Sequence, residues 1–267
     1  ILEQKNVTLD IYISIDISKD QTHQWCEALS KENKNIIVLP YGEKFGIAKK
    51  NFFRLIKDVD FNKYDYISLA DQDDVWNSNK LQRAIALLCE EEFDGYSSNV
   101  TAFWENNKKV FIKKSFPQKK YDFYFESAGP GCTYVLKKES LQKFKDFLIN
   151  NWSKVNRVQS HDWLIYAYFR SKSMKWIIDD KALTYYRQHE YNEMGASLGI
   201  RAYKKRFSLF KSKKYRDEVQ KIINLLRVFN RDEFSLMTLF LLRNINHLRR
   251  RPRDVLILFF MIALRIF

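Results

Sequence analysis

The sequence contains little glycine, proline or cysteine. Only 7 Gly and 4 Pro occur in 267 residues, and an all-β protein with many tight turns would need more of both. The three cysteines, Cys26, Cys89 and Cys132, are odd in number and far apart, which argues against a disulfide framework; no two of them have metal-ligand spacing. We therefore expect a protein of a reducing, cytoplasmic compartment.

Positive charge is in excess, but it is confined to one end of the chain. Residues 201–267 contain 17 Lys and Arg against 5 Asp and Glu, a net charge of +12, whereas residues 1–200 contain 29 against 27, a net charge of +2. The nearly neutral main part argues against a nucleic acid as partner. The basic tail indicates an anionic partner or surface, and a solvated helical face is the alternative interpretation.

Strands and helices alternate along the first third of the chain. The hydrophobic patterns predict strands at residues 9–16, 35–39 and 66–70, and helices at residues 21–31, 51–59 and 80–91. This alternation is typical of a parallel sheet covered by helices on both faces. Further patterns predict an antiparallel strand pair at 96–104 and 110–114, helices at 139–151 and 161–170, one or two strands within 174–186, and helices beyond residue 200.

An acidic motif, Ala-Asp-Gln-Asp-Asp-Val-Trp, occupies residues 70–76, where a predicted parallel strand ends. Ligands of open α/β sheets bind outside the carboxyl ends of the strands. In an extended segment Asp71 and Asp73 would face the same side, and such a pair can hold Mg²⁺ or Mn²⁺ and, through the metal, a diphosphate. The alternative is an acidic turn before a helix that Asn77 or Ser78 caps.

A second motif, Ser-His-Asp-Trp at residues 160–163, opens a predicted helix. Asp162 is a candidate general base for a sugar hydroxyl, and the rings of His161 and Trp163 would then line an acceptor pocket. The alternative is that Asp162 is only a favourable negative charge at a helix N-terminus.

Two further motifs carry candidate ligand-binding residues. Arg187 and His189 follow the last predicted strand, where a guanidinium suits a diphosphate and a neutral imidazole suits a divalent metal. Residues 127–133 form a Gly-rich loop whose spacing matches neither a P-loop nor a dinucleotide-binding fingerprint.

Taken in order, these motifs resemble family 2 glycosyltransferases, specifically the rhamnosyltransferase-like bacterial branch. The resemblance covers residues 1–200 and implies a GT-A fold, with a mixed, mostly parallel sheet flanked by helices and a Rossmann-like nucleotide-binding half. It implies a catalytic domain at residues 1–200 and a basic, amphipathic helical region at residues 201–267. Such enzymes usually open with a strand, a nucleotide-contacting loop and a helix, a unit that the resemblance implies is missing before residue 1.

The resemblance assigns donor and metal roles to five residues. It implies that Asp73 is the main carboxylate ligand of Mg²⁺ or Mn²⁺, that Asp71 lies near the metal and the donor ribose, and that His189 assists at the metal or diphosphate. Arg187 would neutralise phosphate charge, and Asp16 would contact the nucleotide. The family usually has a base-reading acidic residue just before Asp16, and this chain has Ile15 there.

On the acceptor side, the resemblance makes Asp162 the catalytic base. The acceptor would contact residues from three of the motifs: Trp76, Gly131, Cys132, Thr133, His161 and Trp163.

The implied reaction is an inverting displacement in bacterial surface polysaccharide synthesis. The donor would be dTDP-rhamnose or a UDP-sugar, and the acceptor a lipid-linked saccharide at the cytoplasmic face of the cell membrane. The tail fits this location, because the basic residues 249–253 precede ten apolar residues at 255–264. Ten is short of the roughly 20 needed to span a bilayer, so we expect an interfacial anchor on an anionic membrane surface. A helical cap packed on the catalytic domain is the alternative.

Two other functions compete with glycosyl transfer. A haloacid dehalogenase-like phosphohydrolase needs Asp-x-Asp after a strand, which Asp71 and Asp73 supply, and a later acidic pair, which Asp179 and Asp180 could imitate. A non-catalytic module that binds membranes or nucleic acids would account for the basic tail alone.

Overall fold

A computed structural model of the chain describes residues 1–189, 213–226 and 234–267. The strands are β1 (Ile11–Ile13), β2 (Ile36–Val38), β3 (Tyr66–Ser68), β4 (Val75–Trp76), β5 (Gly95–Phe103), β6 (Lys109–Ile112), β7 (Val135–Lys137) and β8 (Trp176–Arg187). The helices are α1 (Thr22–Glu32), α2 (Ala48–Asp58), α3 (Lys80–Glu90), α4 (Lys138–Asn150), α5 (Trp152–Val155), α6 (His161–Ser171), α7 (Lys214–Leu226), α8 (Thr238–Arg243) and α9 (Pro252–Ala263).

The strands form two sheets, and the larger one is mostly antiparallel. Strands β1 and β2 pair in parallel as a separate two-stranded sheet. The six-stranded sheet has the order β3-β7-β5-β8-β4, and β6 also pairs with β5. Among the strands that the structure describes, β5 and β8 are the one parallel pair of this sheet. The prediction of a mostly parallel sheet was therefore wrong, because β3 pairs with the distant, oppositely directed β7 rather than with its neighbours in sequence.

The long strand β5 organises the larger sheet. Along one edge it pairs with β7 at Gly95–Tyr96 and with β6 at Val100–Phe103. Along the other edge it pairs with β8, with register shifts around Asn99. The antiparallel pair predicted near residues 96–114 is thereby confirmed as β5 and β6. These pairings place the ends of β3, β4 and β8 beside the acidic motif.

The described part of the tail packs on the same hydrophobic core as the sheet. On α7, Val219, Ile222 and Leu226 are buried in the main core cluster, and so is Phe267 at the end of the chain. The expected boundary at residue 200 lies outside the described residues. Within the described ranges, no helix is long and apolar enough to cross a bilayer.

Two arginines of the basic run pack against the domain, Arg250 buried and Arg249 partly buried. Arg249 donates to the carbonyl oxygen of Phe125 and to the Tyr215 hydroxyl, each at 2.8 Å. The Arg250 guanidinium lies 3.6 Å from Asp122, whose side chain is fully buried. These contacts support the cap interpretation for residues 249–250, so the tail anchors itself to the domain through part of its positive charge.

Candidate active site

The acidic motif forms a turn between β3 and β4, and this turn decides which carboxylates meet. Residues 72 and 73 are at the centre of the turn. As a result, ligand atoms of Asp71, Asp74 and Cys132 lie within 4.8 Å of one another. The segment is therefore a turn, and not the extended strand from which we expected Asp71 and Asp73 to face the same side.

Cys132 is an unexpected member of this cluster. The antiparallel pairing of β3 with β7 brings the buried turn Gly131–Thr133 beside the acidic loop. Burial raises the pKa of the Cys132 thiol well above its ordinary value, and the nearby charges of Asp74 and Asp71 raise it further. Burial also raises the pKa of Asp74, against the lowering effect of hydrogen bonds with Cys132 and the Arg187 backbone. A protonated thiol is a poor partner for Mg²⁺, which prefers oxygen ligands.

The same turn also brings Asp73 close to His189. His189 Nε2 lies 3.0 Å from Asp73 Oδ2, and both side chains are partly exposed. This contact is a hydrogen bond between the imidazole and the carboxylate. Neighbouring ligands of an octahedral Mg²⁺ with bonds of about 2.0–2.1 Å are also about 3 Å apart, so the pair would fit one ion once Nε2 carries no proton. The donor types and the access to solvent therefore favour Asp73 and His189, rather than Asp74 and Cys132, as metal ligands beside Asp71.

Arg187 holds the acidic turn in place. Its backbone N–H donates to Asp74 Oδ1 at 3.0 Å, and its side-chain Nε donates to the carbonyl oxygen of Asp73 at 2.8 Å. The guanidinium also lies over the Phe103 ring, 4.6 Å from its centroid. This residue, expected at the diphosphate, thus has a positioning role that the sequence did not indicate.

A buried lysine lies beneath the acidic turn. Lys80 is fully buried, and its Nζ is 3.2 Å from the centroid of the Trp76 ring and 3.3 Å from Ser68 Oγ. Burial lowers its pKa to about 7, although the nearby carboxylate of Asp74 opposes that shift. One face of Trp76, expected to contact the acceptor, is therefore covered by this amine.

The second motif begins α6, with Ser160 as N-cap. Asp162 Oδ1 accepts from the backbone N–H of Trp163 at 2.7 Å and from the Ser160 hydroxyl. Oδ2 accepts no hydrogen bond from the part of the chain that the structure describes. One oxygen of Asp162 thus caps the helix, while the second remains available for a proton.

The two rings beside Asp162 have different surroundings. His161 is partly exposed and stacks on Phe52, with ring centroids 4.0 Å apart. Trp163 is buried, and its indole N–H donates to the carbonyl oxygen of Phe123 at 2.9 Å. The structure therefore leaves His161 partly exposed and buries Trp163 in the core.

Gly131 lies directly against the second motif, and this contact gives a testable prediction. A Cβ at position 131 would lie 2.5 Å from His161 Nε2 and 3.3 Å from the Asp162 Cβ. Because His161 is stacked on Phe52, it has little room to yield. We expect Gly131→Ala to lower kcat at least about tenfold while costing only ~1–3 kcal/mol of stability, the range for an overpacked site. Steady-state kinetics with a thermal melt would check this, and normal kcat would show that Gly131 does not set the position of the motif.

Asp16 binds a neighbouring loop. Its carboxylate accepts from the backbone N–H groups of Phe45 and Gly46. Ile15 beside it is buried. The carboxylate therefore orders the loop that follows β2, and Ile15 does not present itself to a ligand in place of an acidic side chain.

The acidic pair that would serve a phosphohydrolase is structural. Both oxygens of Asp179 accept from Arg83, at 2.6 and 2.8 Å, and Tyr96 donates to the same carboxylate at 2.9 Å. This ion pair, in which Asp179 is buried and Arg83 partly exposed, ties α3 to β8. The ion pair explains why an acidic residue occurs at position 179 without assigning it a catalytic role.

Comparisons with known proteins show the family of the chain. The family model described as glycosyl transferase family 2 matches residues 1–163. A dTDP-rhamnosyl transferase from Shigella flexneri, RfbG, is 42% identical over 273 aligned residues, which cover 100% of this chain and 94% of that protein.

Solved structures share the fold at low sequence identity. A crystal structure of S. aureus TarS 1–349 in complex with UDP has a TM-score of 0.54 and 16% identity, with 91% of this chain aligned to 65% of that one. A crystal structure of S. aureus TarS has a TM-score of 0.54 and 17% identity, with 92% of this chain aligned to 40% of that one. The chain thus spans less than two thirds of the length of both.

Proposed function

The chain belongs to glycosyl transferase family 2, and from that premise we propose that it transfers rhamnose from dTDP-rhamnose to a saccharide hydroxyl with inversion. The observation that carries the choice of sugar is the 42% identity to a dTDP-rhamnosyl transferase along the whole chain. We propose a lipid-linked saccharide as acceptor, in bacterial surface polysaccharide synthesis at the cytoplasmic face of the membrane.

For the metal we propose Mg²⁺ or Mn²⁺ bound by Asp73, His189 and Asp71. The 3.0 Å separation of Asp73 Oδ2 and His189 Nε2 and the oxygen and imidazole donors support this set. When bound, the metal would supply positive charge for the leaving diphosphate. The chain's own contribution is to keep the turn rigid, since Arg187 fixes both the Asp73 carbonyl and the Asp74 carboxylate.

Asp162 is the proposed base. Its Oδ1 is held by the start of α6, which fixes the orientation of the carboxylate, and Oδ2 can accept the proton of an acceptor hydroxyl. The stacked ring of His161 offers an apolar face for a sugar beside it. This arrangement makes the acceptor oxygen a better nucleophile as it attacks the anomeric carbon from the side opposite the diphosphate.

A UDP-sugar is the second candidate donor. TarS, which shares the fold, was crystallised in complex with UDP. Ile15 is buried where the family usually has an acidic base-reading residue, so recognition of the pyrimidine must depend on other groups.

The proposal is tested by offering the protein a panel of nucleotide sugars with Mg²⁺ or Mn²⁺. We expect dTDP-rhamnose to bind more tightly than UDP-glucose, UDP-N-acetylglucosamine and dTDP-glucose, and chelation of the metal to weaken binding. Preference for a UDP-sugar would refute the rhamnosyl assignment but not sugar transfer. Absence of binding by every donor, with and without metal, would refute the function as a whole.

A further inference from the structure

The C-terminal helix α9 has two apolar faces, and only one of them packs on the protein. Leu258, Met261 and Ile262 are buried in the main core. The opposite face carries Leu256, Phe259, Phe260 and Leu264, which are 40–66% exposed. The spacing of these residues, three and four apart, places them on one side of the helix. The buried face fixes the helix, so it cannot rotate to hide the exposed one.

The exposed face continues onto the preceding helix. Helices α8 and α9 are in contact. Met237, just before α8, and Leu239 on it are 71% and 58% exposed. Six large apolar side chains are therefore presented by adjacent elements, which is more than scattered surface residues would explain.

The charge around this face is positive. Residues 234–267 contain six arginines and one acidic residue, Asp254. Asp254 is engaged by Arg249 and Arg253. Arg251 precedes α9, Arg265 follows it and Arg243 ends α8, and all three are exposed. An apolar face with exposed arginines at its ends complements an anionic lipid surface.

The length of α9 excludes insertion across the bilayer. Twelve residues make a helix of about 18 Å, against a hydrocarbon core of about 30 Å. We propose that the apolar face of α8 and α9 (Met237, Leu239, Leu256, Phe259, Phe260 and Leu264) lies in the interface of a membrane rich in anionic lipids. The arginines that contact lipid are then Arg243, Arg251 and Arg265, whereas Arg249 and Arg250 hold the helix to the domain. The proposed membrane docking is supported by the exposed apolar residues and arginines of α8 and α9, and it does not depend on which sugar donor the protein uses.

Vesicle partitioning of the full chain tests the proposal. We expect binding to vesicles containing phosphatidylglycerol, weaker binding to pure phosphatidylcholine, and weakening by salt. Leu256→Ser with Phe260→Ser should lower partitioning at least about tenfold, since each side chain would lose burial in the interface. Arg251→Ser with Arg265→Ser should lower binding to the anionic vesicles by roughly tenfold and reduce its salt dependence. Phe111→Ser is the matched control, because Phe111 is similarly exposed on β6, and it should partition as the unmodified chain does.

Light scattering and donor binding on the same variants separate the alternatives. The proposal predicts unchanged oligomeric state and unchanged metal-dependent donor binding in all three variants. Wild-type partitioning by the Leu256/Phe260 variant would overturn it. A second outcome would also overturn the proposal. If the unmodified chain bound no vesicles and formed a dimer, and the Leu256/Phe260 variant were a monomer, a second copy of the chain would cover this face.

Discussion

Asp162→Asn is expected to reduce turnover at least about a hundredfold while leaving donor affinity unchanged. Asparagine keeps an oxygen that can accept from the Trp163 N–H, so the start of α6 should survive the change. What is lost is a carboxylate oxygen able to take a proton from the acceptor. Single-turnover kinetics on an acceptor, together with calorimetric titration of the donor, measure the two properties separately.

A matched variant distinguishes this role from a helix-capping charge. Glu139 is also an acidic residue in the first turn of a helix, α4, and its side chain is exposed. Glu139→Gln should change stability by no more than the roughly 0.3–1 kcal/mol typical of a charge at a helix end, with normal turnover. If Asp162→Asn behaved in the same way, Asp162 would be only a capping residue.

Local patterns predicted most of the elements that the structure contains. Strand β5 and helices α1, α3, α4 and α6 lie where the sequence patterns placed them. Helices α4 and α6 bury one face in the main core, and α3 and Tyr96 of β5 bury theirs in a second, smaller cluster. Strand pairing was harder to predict. The partner of β3 is β7, and pairing over such a distance depends on how the whole chain packs rather than on any local signal.

The same limitation applies to the site. The motif of residues 70–76 could be found from its three carboxylates, and so could His189 from its position after a strand. The turn at residues 72 and 73, the approach of Cys132 and the buried amine of Lys80 all follow from tertiary contacts. Trp163 illustrates the converse error, since an aromatic residue beside a catalytic candidate was buried in the core.

The tail shows why composition alone is ambiguous. Arginines 249 and 250 counted as surface charge in the sequence, yet Arg250 is buried and Arg249 partly buried beside Asp122, Glu126 and Tyr215. Conversely, the run at residues 255–264 is apolar on every side, so its periodicity could not tell the buried face from the exposed one. Only the packing of Leu258, Met261 and Ile262 makes that distinction.

Substitutions at two neighbouring aspartates should differ in their effect on metal-dependent donor binding, with a large loss at Asp73 and almost none at Asp74. Asp73→Asn removes the carboxylate next to His189 and should lower donor affinity by more than the roughly 10–100-fold loss seen when residues outside a ligand set are changed. Asp74→Asn should leave the affinity within about threefold. Asparagine can still accept from the Arg187 N–H, and burial already disfavours the charge at this position.

Titration of Mn²⁺ with and without donor, on both variants and on Asp71→Asn, decides which of two groups binds the metal: Asp73 with His189, or Asp74 with Cys132. Asp71 is a proposed ligand in both groups. Asp71→Asn should therefore lose metal binding whichever group is correct, and it serves as the positive control. The reverse outcome, binding lost in Asp74→Asn and kept in Asp73→Asn, would move the metal into the cluster of Asp71, Asp74 and Cys132. A buried thiol ligand there would favour softer ions, so Cd²⁺ would then bind more tightly than Mg²⁺, and Cys132→Ser would remove that preference. With Asp73 and His189 as ligands, Cys132→Ser should leave the metal preference unchanged.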